Sequence, residues 1–273
     1  MKFGVFVITR ERSKETTTEK VLRNSGYTGD VFTVIDDTDS EIDEYKSMFD
    51  NVLVFSHKEW CDNTDYFNPN TYPHTSTCAR NFVLDYAKRN DYDYILLSDD
   101  DMKRLLYVSD NGSKLIRTPI KNFDKLIDCV CEFMTNTNFK VFSFTLDDNY
   151  YGGYKGQEYQ NKFTNRIAQH FILKVKDAKP FIGELNQDLN YSLQYSNVGD
   201  IMMSCAHISF VAPHRGTNKG GTQPVYNKRS LYEKNMYTLV TRPDVIRYNE
   251  EGKFKYSSKK FYPKIIDEKY RKR

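Results

Sequence analysis

The stretch that decides the fold runs from Tyr94 to Asp101 and reads Tyr-Ile-Leu-Leu-Ser-Asp-Asp-Asp. Its first half is a short apolar run, which is typical of a β-strand buried on both faces of a parallel sheet. Three carboxylates follow directly, where such a strand ends. Ligands of open α/β folds bind outside the carboxyl ends of the strands. This acidic turn is therefore the first candidate for a functional site.

The spacing of the carboxylates indicates a metal site. Three consecutive carboxylates repel one another unless cations or solvent offset their charge. Asp99 and Asp101 are two residues apart, so on an extended backbone both point to the same side. Mn²⁺ and Mg²⁺ prefer oxygen ligands, commonly carboxylates combined with substrate phosphates. We interpret the pair as ligands of a divalent cation; the alternative is an acidic turn that is merely solvated.

Strands and helices alternate through the first half of the chain. Apolar runs predict strands at 3–8, 31–35, 52–55 and 93–97, and helices at 15–24, 41–49 and 78–90, the last capped by Thr77. A long irregular stretch, 57–75, separates the third strand from that last helix. The alternation predicts an α/β fold with a mostly parallel central sheet flanked by helices. Such a sheet brings Thr9, Arg10, Asp36 and Asp37 to the same edge as the acidic turn.

The second half is less regular. Asp110-Asn111-Gly112 lies between two extended runs and predicts a hairpin, which would form a small antiparallel extension. Strands are expected at 141–146, 167–175 and 208–212, and a short helix is expected at 198–207. With neither an internal repeat nor a linker, residues 1–252 read as a single domain.

Composition excludes several classes of protein. The 273 residues are 39% hydrophobic and include 21 Tyr and 18 Phe, which suffices for a large core and excludes collagen, coiled coil and general disorder. No run approaches the roughly 20 apolar residues of a membrane span. The apolar start is too short for a signal peptide, and five cysteines occur without a CxxC pair. These features predict free thiols, a cytoplasmic location and no membrane partner.

Charge is distributed unevenly along the chain. Residues 253–273 hold nine basic residues against two acidic ones, so this tail carries +7, and the overall charge of +3 leaves −4 on residues 1–252. Aromatic residues alternate with the basic ones in the tail. Basic side chains bind phosphates and aromatic rings stack on exposed bases. The tail therefore favours contact with nucleic acid, although a solvated basic tail is the plain alternative.

Together, these motifs resemble a known enzyme class. The unit Cys78-Ala79-Arg80-Asn81, then a helix, then an apolar strand ending in Asp99-Asp100-Asp101, is similar to the D-x-D region of GT-A fold glycosyltransferases. More narrowly, residues 1–215 look like the TET-associated glycosyltransferases of phages and bacteria, which glycosylate 5-hydroxymethylpyrimidines in DNA. The resemblance implies a Rossmann-like GT-A fold, with a nucleotide-sugar half at about 1–110 and an acceptor half at about 111–252.

The resemblance also implies roles for single residues. Asp99 would contact the donor ribose, Asp101 would bind Mn²⁺ or Mg²⁺, and Asp100 would lie beside the donor. Arg80 would contact donor phosphate or nucleobase. Asp36 or Asp37 would meet the uracil of a UDP-sugar, and Thr9 and Arg10 would line the nucleoside.

Two further roles follow from the same resemblance. Family members carry an acidic residue that opens a later helix and acts as base on the acceptor, and Asp200 in Gly199-Asp200-Ile201-Met202-Met203 matches, although Gly199 replaces the usual preceding acid. A late histidine completes the metal site, and His214 matches. Arg215 and Lys219, in the same glycine-containing loop, suit a pyrophosphate.

The acceptor side offers aromatic and basic residues. Tyr151 and Tyr154 lie in a Tyr/Gly-rich stretch, 147–161, whose rings could stack on a base, and the alternative is an ordinary surface loop. A base modified within a duplex must be flipped out of the stack. The tail residues expected to contact the DNA are Lys259, Lys260 and Arg271.

The leading hypothesis is a monomeric, metal-dependent glycosyltransferase that moves a sugar from a UDP-sugar to 5-hydroxymethylcytosine in phage DNA, within the infected host cell. A glycosyltransferase for an envelope glycan or a protein is the first alternative. A sugar-nucleotide nucleotidyltransferase is the second, and it is disfavoured because no glycine lies in Thr9–Lys14. A non-enzymatic DNA-binding module is the third, but it has no need of the acidic turn.

Overall fold

The computed structural model describes residues 1–66, 73–161, 163–164, 167, 169–195, 201–213, 225, 231–243, 246–248 and 254–256. The strands are β1 (Phe3–Ile8), β2 (Val31–Asp36), β3 (Val52–Phe55), β4 (Tyr94–Asp99), β5 (Arg104–Asp110), β6 (Leu115–Pro119), β7 (Phe139–Leu146), β8 (Phe163–Thr164), β9 (Phe171–Lys174), β10 (Ile201–Val211), β11 (Ile246–Tyr248) and β12 (Phe254–Tyr256). The helices are α1 (Thr18–Asn24), α2 (Ile42–Met48), α3 (His57–Asp62), α4 (Ser76–Arg89), α5 (Phe123–Thr135), α6 (Gln157–Gln160), α7 (Gln187–Tyr195) and α8 (Leu231–Thr241).

The first four strands form a parallel sheet in the order β3-β2-β1-β4. The central strands are apolar and buried along most of their length, as expected when helices cover both faces. The register pairs Ile8 of β1 with Val34 of β2 and with Asp99 of β4. The carboxyl ends of these strands therefore lie level, and the residues that follow them meet at one edge.

Beyond β4 the sheet is mixed, so the prediction of a mostly parallel sheet is wrong for this part of the chain. β9 lies antiparallel between β4 and β7, β10 runs parallel to β7 and antiparallel to β5, and β6 closes the edge. The error has a physical cause. A short buried strand such as β9 has the same apolar pattern whichever way it runs, and the sequence does not encode its direction.

The helix expected at 198–207 is also wrong. Residues 201–211 instead form the single long strand β10, which includes the strand that was expected to start at Ile208. A short apolar run such as Ile201-Met202-Met203 fits a buried helix as well as a buried strand by periodicity alone. Here the run pairs with β7, and the later residues 208–211 of the same strand pair with β5.

The described residues before α4 include a helix that their composition does not indicate. The described part of 57–75 begins with α3, whose N-cap Ser56 accepts a hydrogen bond from the Glu59 amide at 3.5 Å. α4 starts at Ser76 with Thr75 at the N-cap position. Thr77, the expected cap, lies inside the helix, where its hydroxyl donates to the Gly183 carbonyl at 2.8 Å.

Side chains of β1 alternate between the two faces of the sheet and lead into two separate cores. Val5 and Val7 pack in one core with Phe123 and Ile127 of α5, whereas Phe6 packs in the other with residues of α4 and α7. Each fully buried side chain of this size contributes about 1.5–3 kcal/mol relative to an exposed one. The result is a layer of helices on each face, which holds the strand ends rigidly.

A second, small sheet lies apart from the main one. β11 pairs with β12 as an antiparallel hairpin, so the first described residues of the predicted tail, 254–256, belong to a small sheet.

The described helices include none with the length and apolar character that crossing a bilayer requires.

Candidate active site

The candidate site is built at the carboxyl edge of the parallel strands. Thr9 and Arg10 follow β1, Asp36 ends β2, and Asp99 ends β4. Because these strands are in register at their ends, the four side chains are brought to one region of the surface. The expectation that the strand ends converge is therefore confirmed.

Carboxylates from two distant parts of the chain meet around one guanidinium. Arg80 of α4 donates from Nη2 to Asp99 at 3.3 Å and from Nη1 to Asp188 at 2.8 Å. Asp188 lies in the first turn of α7. Asp101, in the turn after β4, lies close enough to affect the charge of Asp99. Helices α4 and α7 and strand β4 thus contribute to one acidic centre.

The electrostatics of this centre fit a cation. Burial, together with the charges of Asp101 and Asp188 and against the opposing charge of Arg80, raises the pKa of Asp99 to about 7. Arg80 contacts two of these carboxylates and Asp101 lies near Asp99, so a bound cation would offset the repulsion among the acids. Carboxylate oxygens are the ligands that Mn²⁺ and Mg²⁺ prefer. The side chain of Asp99 is 27% exposed, so a ligand can reach it. The donor set fits a divalent ion.

Asp100 has a different environment from its neighbours. It is buried, accepts a hydrogen bond from the Thr9 hydroxyl, and forms an ion pair with Arg12 at 2.8 Å. Tyr45 joins this network through its hydroxyl, 2.9 Å from that of Thr9. Burial raises the pKa of Asp100 to about 6, against the effect of Arg12 and of the Thr9 hydrogen bond. Asp100 and Thr9 therefore hold the end of β1 against the acidic turn.

Arg10 and Asp36 form an ion pair at the next strand end. Burial alone would raise the pKa of Asp36, but hydrogen bonds from Arg10 and Thr38 outweigh it and lower the pKa. The His74 ring lies 3.9 Å from the Asp36 carboxylate. Asp37 accepts a hydrogen bond from the His57 amide at 2.8 Å and so fixes the start of α3. Of the two acids predicted for uracil, Asp36 lies beside the predicted Arg10.

Arg80 is fixed before any ligand arrives. Its residue is 3% exposed, and its guanidinium lies over the rings of Phe171 and Phe181 at 5.5 and 5.3 Å. Burial lowers the pKa of an arginine, but Asp188 and Asp99 outweigh this effect and raise that of Arg80. The structure thus pairs Arg80 with two carboxylates, in addition to the donor contact that the sequence predicts for it.

A buried histidine lies behind the acidic turn. His170 is fully buried, its Nδ1 forms a hydrogen bond with the Ser98 hydroxyl at 2.6 Å, and its Nε2 has no hydrogen-bond partner. Its ring meets Phe210 edge-on with the centroids 4.3 Å apart. Burial and the nearby Arg80 lower the pKa of His170 to about 3. The imidazole is therefore neutral at physiological pH and supports the residue that precedes Asp99.

Sequence reasoning missed Asp188. The signal was present, because Asp188 precedes Tyr191 and Tyr195, an i, i+4 apolar pair, and acidic residues favour the first turn of a helix. Asp200 was chosen instead as the acid that opens a late helix. Asp200 itself lies outside the described residues, but the residues that follow it form β10 and not a helix. Asp188 is the acid that the structure places at the start of a helix beside Asp99.

Several predicted residues fall outside the described part of the chain. Nothing is stated about their positions, and their roles remain predictions; besides Asp200 they are His214, Arg215, Lys219, Lys259, Lys260 and Arg271.

The predicted acceptor tyrosines are both described. Tyr151 is 80% exposed, between two short 3₁₀ turns that follow β7. Tyr154 packs partly against the small core of Val108, Tyr150 and Tyr159. Tyr151 therefore offers a free ring face to solvent, and Tyr154 is partly committed to the fold.

Comparison with known proteins gives one family. The family described as TET-associated glycosyltransferase matches residues 3–241 of this chain. A search of curated proteins gives no match.

Solved structures share the fold at low identity. Glucosyl-3-phosphoglycerate synthase from Mycobacterium tuberculosis, solved with Mn²⁺, UDP-glucose and phosphoglyceric acid, is 9% identical with a TM-score of 0.51, over 94% of this chain and 86% of that one. TarS of S. aureus (residues 1–349) is 17% identical with a TM-score of 0.46, over 78% of this chain. The match spans 60% of that TarS chain, less than two thirds of its length. At 9% identity the likeness to the synthase shows the fold alone.

Proposed function

The chain belongs to the TET-associated glycosyltransferase family, and from this we propose that it moves a sugar from a UDP-sugar to the hydroxyl of 5-hydroxymethylcytosine in DNA. The observation that carries the proposal is the acidic centre at the strand ends. Asp99 and Asp188 are held by the same buried arginine, and Asp101 lies beside them. A metal-dependent transfer from a diphosphate donor needs carboxylates in such a place.

The donor side follows from the charges at the sheet edge. Asp99 and Asp101 would hold Mn²⁺ or Mg²⁺, and such an ion, when bound, stabilises the negative charge of a departing diphosphate. The Arg10–Asp36 pair would lie at the nucleoside end, as the sequence predicts. The synthase from M. tuberculosis that shares this fold was solved with Mn²⁺ and UDP-glucose, which supports the same type of donor here.

Asp188 is the base that the geometry favours. Its side chain is 35% exposed, it begins α7, and it lies across Arg80 from Asp99. In the proposed step the acceptor oxygen bonds to the anomeric carbon, the bond from that carbon to the diphosphate breaks, and Asp188 takes the hydroxyl proton. Arg80 is a positioning residue, because it fixes Asp188 relative to the donor carboxylates. Direct attack inverts the anomeric configuration.

The DNA acceptor rests on the family description and on the chemistry of exposed side chains. Tyr151 presents a ring to solvent, and stacking on a base is worth about 1–3 kcal/mol. The basic residues of the tail would bind phosphates. The expected acceptor is a flipped base, because the hydroxymethyl group of a stacked cytosine is not free to enter the acidic centre.

The test is a transfer assay with a defined acceptor. The protein is incubated with Mn²⁺, a panel of UDP-sugars, and matched duplexes with or without 5-hydroxymethylcytosine, and the released nucleosides are analysed by mass spectrometry. The proposal expects one hexose or pentose added to the hydroxymethylated nucleoside alone, with equimolar UDP. UDP release without a modified nucleoside would contradict the DNA acceptor while leaving the donor assignment intact.

A matched pair of variants locates the activity. Asp99→Asn should abolish both sugar transfer and UDP release. Asp85→Asn, on the same helix as Arg80 but paired to Arg89 at 2.8 Å near the surface, should leave both unchanged. Equal activity of the two variants would show that the acidic centre is not the catalytic site.

A further inference from the structure

A second cluster of potential ligands lies away from the acidic centre. His57 and Cys61 are four residues apart on α3, so they share one face of that helix. Cys78, in the first turn of α4, faces them. The imidazole nitrogen and the two sulfur atoms all lie within 4.8 Å of one another. All three residues are buried, with exposures of 5%, 5% and 1%.

The surroundings of the cluster are closed and well defined. The Cys61 sulfur lies 3.3 Å from Nε2 of His57 and 3.9 Å from the Tyr66 hydroxyl. The His57 ring stacks on that of His74 with the centroids 4.1 Å apart. Two thiols and an imidazole therefore converge from two helices in the buried interior, with a phenol at their side.

We propose that His57, Cys61 and Cys78 bind a thiophilic divalent cation of the zinc class, which ties α3 to α4. Tetrahedral zinc, with Zn–S bonds of about 2.3 Å and Zn–N bonds of about 2.0–2.1 Å, sets its ligand atoms roughly 3.5–3.8 Å apart. The separation of 3.3 Å between the Cys61 sulfur and the His57 nitrogen is near this range, and all three ligand atoms lie within 4.8 Å of one another. Two sulfur ligands and one nitrogen select zinc over Mn²⁺ and Mg²⁺, which prefer oxygen. The hydroxyl of Tyr66 or a water would complete the coordination.

The packing around the cluster supports this assignment. The stacked His74 fixes the plane of the His57 ring, as a supporting residue of a metal site would.

The position of the cluster gives the cation a structural role. Cys78 precedes Arg80 by two residues on α4, and the backbone amide of His57, the first residue of α3, donates a hydrogen bond to Asp37. A cation held here would fix the start of α4 and hence the arginine that positions Asp99 and Asp188. This inference is independent of the proposed reaction, because it concerns folding and metal content.

Cobalt spectroscopy separates this site from the acidic centre. Protein purified without chelator should contain one zinc per chain by elemental analysis. After zinc removal, titration with Co²⁺ should produce a thiolate-to-cobalt charge-transfer band that saturates at one equivalent. Carboxylate ligands give no such band, so Asp99→Asn should keep it, and excess Mn²⁺ should not displace it.

Variants identify the ligands. Cys61→Ser and Cys78→Ser should each lose the zinc and the charge-transfer band, whereas Cys129→Ser, which replaces an exposed thiol of α5, should retain both. Zinc should raise the Tm of the wild type and of Cys129→Ser but not that of the other two.

Two results would overturn the proposal. One is the absence of zinc in the isolated protein together with no charge-transfer band in the reduced wild type, a measurement that needs no variant to fold. The other is retention of the band in both Cys61→Ser and Cys78→Ser, which would place the bound cobalt elsewhere.

Discussion

Arg80 donates from Nη1 to the Asp188 carboxylate at 2.8 Å and thereby joins α4 to α7 across the end of the sheet. The same guanidinium holds Asp99, so one buried charge fixes an acid from each side of the candidate site. The relationship links residues 108 positions apart in the chain, and it makes the site dependent on the packing of two helices.

Two replacements of Arg80 should distinguish its contribution to folding stability from its role in positioning the two carboxylates. Arg80→Ala leaves two carboxylates without their buried partner and should lower the free energy of unfolding by about 3–5 kcal/mol. Arg80→Lys keeps the charge but loses the planar fork that reaches both acids, so we expect a smaller loss of stability and about 10²-fold slower transfer. Urea unfolding and steady-state rates measure the two effects. Wild-type rates in Arg80→Lys would contradict the positioning role.

Asp188 and Asp200 are competing candidates for the base. Asp188→Asn should lower kcat by about 10²–10⁴-fold, because no base then receives the proton of the DNA hydroxyl, while UDP affinity stays unchanged. Asp200→Asn should keep kcat near that of the wild type. Turnover and UDP binding by calorimetry test both variants. The reverse pattern would return the assignment to Asp200.

Neighbouring aspartates of the acidic turn should behave oppositely. Asp99→Asn should abolish transfer with little change in Tm, since Asp99 is partly exposed at the ligand edge. Asp100→Asn breaks a buried ion pair with Arg12 and should lower the free energy of unfolding by about 3–5 kcal/mol. Thermal unfolding and activity of the two variants provide the measurement. Equal Tm values would argue against the structural role of Asp100.

His170 should make stability depend on pH. Its folded pKa is about 3, below its usual value of about 6.5, so between these values the unfolded chain binds a proton that the folded chain does not. The contribution of His170 to stability is therefore full above pH ~6.5 and is lost toward pH ~3, by up to about 1.4 kcal/mol per pH unit. His170→Asn should flatten this slope by one proton in urea unfolding between those limits. An unchanged slope would show that His170 is not its source.

Tyr151 should contribute to DNA binding alone. Tyr151→Ala should weaken affinity for hydroxymethylated duplex by about 1–3 kcal/mol if the ring stacks on a base, while UDP release stays unchanged. Tyr151→Phe keeps the ring and serves as the matched control. Fluorescence anisotropy with labelled DNA at fixed salt is the measurement. Equal affinity of Tyr151→Ala and the wild type would remove Tyr151 from the acceptor surface.

The parallel half of the fold could be predicted because each signal in it is local. The strands of 3–55 are apolar runs bounded by polar helices, and the acidic turn follows its strand directly. The glycosyltransferase resemblance rested on this half, and the family match confirms it. The same local reasoning placed Arg10, Asp36 and Asp99 at one edge of the sheet.

The rest depends on contacts that a sequence pattern does not carry. The direction of β9 is set by the strands beside it. β10 is a strand because it forms backbone hydrogen bonds with β7 and β5. Asp188 was missed because α7 was not predicted, and without that helix nothing connects position 188 with Arg80. The cluster of His57, Cys61 and Cys78 was missed for the same reason, since α3 lies within a stretch read as irregular.

The pairing of Ile8 with Asp99 makes the position of the acidic turn depend on the register of β4 against β1. Side chains alternate along β4, so deletion of a single residue between Tyr94 and Ser98 would exchange the sides of Asp99 and Asp100. Asp99 would then lie on the side where Asp100 now accepts a hydrogen bond from Thr9, with the composition of the turn unaltered. Junctions in chimaeric proteins of this fold should therefore lie outside residues 94–101. A junction within β4 could keep the three aspartates but turn them to the wrong faces of the strand.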